Sequence, residues 1–123
     1  MSKTIFWGAT LLMAILQQIS TFGVLTLWPA SVHSERFFSG IPVWAAWSIA
    51  LLIGWYLLKI QKIRMNTALV VSGLASNMAT YLFRGHFVDY IPTGLSYINL
   101  EDASIIVGLV LMYHVSCLKK NEP

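Results

Sequence analysis

The sequence predicts an all-α integral membrane protein: four transmembrane helices, both termini cytoplasmic, and short extracytoplasmic loops. Three observations carry that reading. Of the 123 residues, 57% are apolar and 11% are charged, whereas an ordinary soluble domain has about 25% charged residues. Four long stretches, 4–32, 37–58, 65–83 and 103–118, contain no Asp, Glu, Lys or Arg. A spanning helix needs roughly 20 mostly apolar residues, with about 17 as the lower end, and the slightly short fourth stretch gains Asp102 at an interfacial helix end. The basic residues are also segregated. Lys3 precedes the first stretch, Lys59, Lys62 and Arg64 separate the second from the third, and Lys119 and Lys120 follow the fourth. The positive-inside rule places all of these in the cytoplasm and leaves segments 30–41 and 85–101 outside.

This composition leaves no soluble domain, so 1–123 reads as a single membrane domain. The net charge of +3 is accounted for by topology and gives no reason to expect nucleic-acid binding. The first stretch is too long for a signal-peptide core and lacks a small-residue cleavage site, so it is expected to remain as a helix. Cys117 is the single cysteine; it has no internal partner and reads as a small packing residue. One Cys and three scattered His give no metal spacing, and neither a metal nor a cofactor is expected.

The first predicted helix covers about 4–28 and stops at Pro29, with Trp7 and Trp28 as interfacial anchors. Gln17, Gln18, Ser20 and Thr21 lie along it, and each needs a hydrogen-bond partner inside a bundle. In the outer loop 30–41, His33, Glu35 and Arg36 read as solvated and Phe37–Phe38 as dipping into the headgroup layer. The second helix, about 42–58, starts at Pro42, a favoured first-turn residue. Trp44, Trp47 and Leu51 share a face expected to meet lipid. The third helix covers about 66–83. Ser72, Ser76 and Thr80 recur every four residues beside Gly73 and Asn77, a spacing of small residues that lets helix backbones approach closely. The fourth helix covers about 101–118. Asn99 is its expected cap, and Glu101 and Asp102 in its first turn suit the positive end of the helix dipole. Dipole stabilisation does not account for Asp89, which lies across a Pro92–Gly94 turn that folds the chain back. A carboxylate at a membrane boundary marks a site by default, and two together suggest a shared proton.

The segments Ser72-Gly-Leu-Ala-Ser-Asn77, Arg84-Gly-His-Phe-Val-Asp-Tyr-Ile91 and Tyr97-Ile-Asn-Leu-Glu-Asp-Ala-Ser-Ile105 resemble the C-terminal half of lipoprotein signal peptidase, or signal peptidase II. That family carries the motifs Gly-Asn-x-x-Asp-Arg, Gly-x-Val-Val-Asp-Phe and Phe-Asn-x-Ala-Asp-Ser-Ala-Ile. Asn77 matches the first motif, Gly85, Val88 and Asp89 the second, and Asn99, Asp102 and Ile105 the third. The resemblance implies a four-helix membrane aspartic endopeptidase of the bacterial inner membrane, with its active site at the extracytoplasmic face. Such an enzyme cuts the signal peptide from a diacylglyceryl-modified prolipoprotein. It also implies that Asp89 and Asp102 form the catalytic dyad, that Asn77, Asn99 and Gly85 support the site, and that the partners are the lipidated substrate and membrane lipids around a monomer.

The chain departs from the family at three places. Thr80 and Tyr81 stand where the first motif has Asp-Arg. Gln17-Gln-Ile-Ser-Thr21 matches the family's Asp-Gln-x-Thr-Lys only loosely, and the outer loop after the first helix has no Asn-x-Gly-Ala-Ala-Phe motif. These departures keep open a catalytically impaired relative that binds lipoprotein or lipid as an accessory factor. A small four-helix exporter is a further alternative, but it needs an embedded acid in the first helix, where this chain has only glutamines. In a purely structural subunit, Asp89 would be solvated and Asp102 a simple cap. A protease requires the two carboxyls to converge; a structural subunit lets them point apart.

Overall fold

The computed structural model describes residues 1–28, 43–60, 64–85, 88–94 and 97–122. The outer-loop reading of His33, Glu35, Arg36 and Phe37–Phe38 lies outside these residues, as does Pro42. The described chain forms four helices, α1 (Lys3–Leu27), α2 (Val43–Ile60), α3 (Met65–Arg84) and α4 (Leu100–Lys120). Between α3 and α4 lies a small antiparallel pairing of β1 (Ile91–Pro92) with β2 (Tyr97–Ile98). Ile91 stands opposite Ile98 and Pro92 opposite Tyr97. The sequence places a turn here; the strand pairing is an addition. Among the described residues, α1 and α4 are long and apolar enough to cross a membrane, and α2 contributes a shorter apolar stretch, Trp47–Lys59.

α3 is the central helix. It packs against α4, α1 and α2. Hydrogen bonds from Gln17 to Ser72 and from Gln18 to Ser76 and Thr80 run α1 alongside α3 in the same direction. Contacts from Leu69 to Ser104 and from Asn77 to Asp102 run α4 antiparallel to it. The C-terminal ends of α1 and α3, the start of α4 and the β1–β2 segment therefore share one end of the bundle, which holds Asp89, Glu101 and Asp102. Lys3, Arg64, Lys119 and Lys120 stand at the other.

The distribution of polarity is the reverse of that in a water-soluble protein. The buried positions of α1 are Phe6, Thr10, Gln17 and Thr21, spaced at near-multiples of a helical turn so that they form one stripe. Leu11, Leu12, Ile15, Ile19 and Phe22 on the same helix are largely exposed. α3 buries Thr67, Ser72, Ser76 and Thr80. In lipid there is no hydrophobic force between helices, and they associate through close packing and interhelical hydrogen bonds. Apolar residues outside and hydroxyls and amides inside are what a bilayer solvent selects. A small apolar core of Leu57, Val70 and Met112, with Leu74 and Ile105 against it, fills the bundle near its basic end.

Glycine sets the spacing between α3 and α4. A Cβ on Gly73 would lie 2.6 Å from the carbonyl oxygen of Glu101 and 2.7 Å from the Ile105 side chain. A Cβ on Gly108 would lie 2.6 Å from Val70 and 2.8 Å from the Asn66 carbonyl oxygen. The first of these approaches brings the start of α4 onto α3 at the site. The aromatic face predicted for α2 divides. Trp44 and Leu51 are exposed, but Trp47 turns inward and meets Tyr81 edge to face, with ring centroids 5.5 Å apart. Tyr81 gives Trp47 an aromatic partner on α3, a contact that α2's own sequence does not encode.

Candidate functional site

Asn99 starts the site. As the N-cap of α4 it accepts from the Asp102 backbone N–H through its side-chain oxygen, at 2.8 Å. Asp102 returns the bond through Oδ2 to the Asn99 N–H at 3.4 Å, completing a capping box. The cap thus fixes the side chains of both residues, and each has a second functional group left over. The Asn99 amide Nδ2 donates to Asn77 Oδ1 at 2.9 Å and to Asp89 Oδ1 at 3.1 Å. Asp102 Oδ1 accepts from Asn77 Nδ2 at 2.9 Å. The result is a continuous chain, Asp89–Asn99–Asn77–Asp102, in which two carboxyls are joined by two amides. Both acids converge on one amide pair, so Asp102 is more than a cap. Asn99 is 2% exposed and Asp89 7% exposed; Asn77 and Asp102 are half-buried.

The backbone delivers Asp89 to this point in two steps. Gly85 ends α3 in the left-handed conformation, φ 75°, with its N–H bonded to Tyr81 O at 2.8 Å. A residue without Cβ adopts that conformation at no steric cost. Gly85 therefore belongs to the turn and not to the polar chain itself. Beyond it, Tyr90 N–H donates to Ile98 O at 3.0 Å and Tyr90 Oη bonds Ser20 Oγ at 3.1 Å. These bonds hold the Asp89 segment against β2 and against α1.

Burial pushes the Asp89 carboxyl up to about 7; the negative charge of Asp102 and, when ionised, of Glu101 adds to the shift. Near neutrality this site therefore holds a proton that a solvated aspartate would have lost. Asp102 accepts from two N–H groups at the positive end of α4, an arrangement that suits an anion.

Glu101 stands in the first turn of α4, where the helix dipole favours an acid, and its side chain has further partners that the dipole does not require. Glu101 is 1% exposed and points into the bundle. Its Oε1 accepts from Ser76 Oγ at 2.9 Å and from Thr21 Oγ1 at 3.2 Å. A legible signal existed: Glu101, Ser104, Gly108 and Met112 are the buried positions of α4, and their spacing places Glu101 on the same inward stripe as two small residues. The third family motif has alanine at that place. Among the described residues no group of three or more His, Cys, Asp and Glu could hold a metal ion.

The polar residues of α1 also find partners. Gln18 Nε2 reaches Ser76 Oγ and Thr80 Oγ1, both at 2.8 Å, and the Ser76 carbonyl at 2.9 Å. Thr80 stands where the first motif has Asp, and here it serves the contact between α1 and α3. Beside these bonds lies an open groove between α1 and α3. Ala14, Ala75 and Ala79 leave the space, Ile15, Ile19 and Phe22 make it apolar, and Arg84 stands at its end.

A family model described as signal peptidase (SPase) II matches residues 3–118. No curated protein and no solved structure matches the chain.

Proposed function

Because this chain belongs to the signal peptidase II family, we propose that it is an active membrane aspartic endopeptidase that removes the signal peptide from diacylglyceryl-modified prolipoproteins. The observation that carries the reading is the chain Asp89–Asn99–Asn77–Asp102, which gathers two carboxyls at one end of the bundle. In this reading Asp102, with its two N–H donors, is the anion, and Asp89, with its raised affinity for protons, is the acid.

The reaction then balances within the pair. Asp102 takes a proton from water as the water oxygen bonds to the scissile carbonyl carbon, and Asp89 gives its proton to the carbonyl oxygen. As the tetrahedral intermediate collapses, the C–N bond breaks. The leaving nitrogen takes the proton from Asp102, and Asp89 recovers one from the gem-diol. Asn77 and Asn99 hold both acids in register through the exchange. The groove between α1 and α3 suits an apolar helix or acyl chain, and the basic residues at the opposite end suit a cytoplasmic face. The site then opens to the extracytoplasmic side of a bacterial inner membrane.

The test is processing of a lipidated prolipoprotein, by purified protein or by cells lacking their own enzyme. Cleavage by wild type, lost in Asp89→Asn and in Asp102→Asn with membrane insertion intact, is the expected result. Binding of the lipidated substrate without cleavage, under conditions where another family member cuts, identifies an accessory relative instead.

A further inference from the structure

The carboxyl of Glu101 is embedded in the bundle with an asymmetric set of partners. Both of its hydrogen bonds from other side chains, Ser76 and Thr21, fall on Oε1. Among the described residues, Oε2 is buried with no partner, and no cation pairs with the carboxyl. A carboxylate anion spreads its charge over two equivalent oxygens and draws donors to each. A neutral carboxyl has one carbonyl oxygen, which accepts, and one hydroxyl oxygen, which is a poor acceptor. Two donors on Oε1 and none on Oε2 match the neutral form. An isolated buried anion is, in addition, among the most unfavourable groups a bundle interior can hold.

The contacts of Glu101 lie in line with those of the site. Glu101 bonds Ser76 while its neighbour Asp102 bonds Asn77. These are two consecutive rungs between the same two helices, and Thr21 extends the first rung to α1. Gly73 allows the approach, since its Cα faces the Glu101 carbonyl. Its side-chain partners are Thr21 from α1 and Ser76 from α3, and neither titrates. The ionisable groups it interacts with are Asp102 and Asp89, and the charged Arg84 lies exposed in the last turn of α3.

We propose that Glu101 is a positioning residue of the site: as a neutral carboxyl it clamps the first turn of α4 to α1 and α3, and so fixes Asp102 over Asn77. It touches no reacting atom and supplies no proton; it acts through the placement of Asp102.

The inference rests on the peptidase reading for its kinetic arm. Glu101→Gln preserves a carbonyl acceptor for Thr21 and Ser76, so kcat, KM and the alkaline limb of the pH profile should stay close to wild type. Glu101→Ala removes the clamp, and kcat should fall on the order of 10²-fold, as for a small misplacement of a reacting group, with KM little changed. Wild-type kcat in Glu101→Ala overturns the proposal. So does a Glu101→Gln variant as impaired as Glu101→Ala, or one whose alkaline limb moves to lower pH, because both mean that an anion was needed. A second arm reads Glu101 without activity, so that an inactive wild type, which sinks the peptidase reading, leaves this inference open to test. Above pH 7, the infrared difference between Asp89→Asn and Asp89→Asn/Glu101→Gln should contain the carbonyl band of a protonated carboxyl. Carboxylate bands in that difference would overturn it.

Discussion

At the scale of single residues, the site depends on side chains that do two things at once. Asn99 caps α4 with its oxygen and joins Asp89 to Asn77 with its nitrogen. Asn99→Asp keeps the cap acceptor but removes the amide donor and places a third acid between the two carboxyls. Processing should fall by roughly 10²-fold or more, the range of a lost acid–base contribution, while helix content by circular dichroism stays near wild type. Asp89 gives the pH dependence. Its proton is retained up to about 7 in the folded protein against 3.8 for an ordinary aspartate. Between those values the folded state binds a proton at Asp89 that the unfolded state does not, so the stability this proton contributes declines as pH rises through the window. The melting temperature in detergent should fall with rising pH in wild type and fall less steeply in Asp89→Asn. The peptidase reading adds a second measurement: kcat/KM should fall on its alkaline side near 7, where the shared proton leaves the pair.

At the scale of elements, the contact of α3 with α4 depends on two glycines. Gly73→Ala and Gly108→Ala each place a methyl group against backbone, which does not yield as a flexible side-chain tip does. Overpacking of this kind costs about 1–3 kcal/mol. Gly73→Ala should also lower processing, because it pushes the Glu101–Asp102 turn away from Asn77, whereas Gly108→Ala lies further along the helices and should affect stability more than activity. Gly23 on α1 has nothing within 4 Å of its Cβ position. Gly23→Ala should be neutral or stabilising by up to about 1 kcal/mol through helix propensity. Thermal unfolding of the three variants separates these cases. Much at this scale was legible in the sequence. The Ser72–Ser76–Thr80 row meets the side-chain amides of α1, and the adjoining Gly73–Asn77 row meets α4, because a four-residue repeat fixes a helix face wherever the helix packs. The inward turn of Trp47 onto Tyr81 was not legible, since it needs the position of α3.

At the scale of the whole molecule, charge and polarity are sorted along and across the bundle. Among the described residues, Asp89, Glu101 and Asp102 stand at the end where α4 begins, and Lys3, Lys59, Arg64, Lys119 and Lys120 stand at the other. If the basic end is cytoplasmic, a reporter enzyme that works only in the cytoplasm should be active when fused after Pro123. Activity of a reporter that works only outside would reverse the orientation and remove the site from the face where lipoproteins are processed. The groove between α1 and α3 yields a second prediction at this scale. Ala79→Leu should fill part of it and raise KM for a lipidated substrate severalfold with little change in kcat, since uniform binding contacts act on KM.

The sequence by itself determined the helical membrane class, the family resemblance and the candidate acids. Hydropathy, helical period and motif spacing are local properties that survive without knowledge of neighbours. It also determined that Gln17, Gln18, Ser20 and Thr21 must find partners, because lipid offers none. Only the tertiary structure decided what those partners are, that Asp89 and Asp102 meet on the Asn77–Asn99 amides, and that Glu101 faces inward with one oxygen bare. Those outcomes depend on the approach of three helices and a turn. A carboxyl group acquires its role from the donors and charges that packing places around it, and these come from residues tens of positions away in the chain.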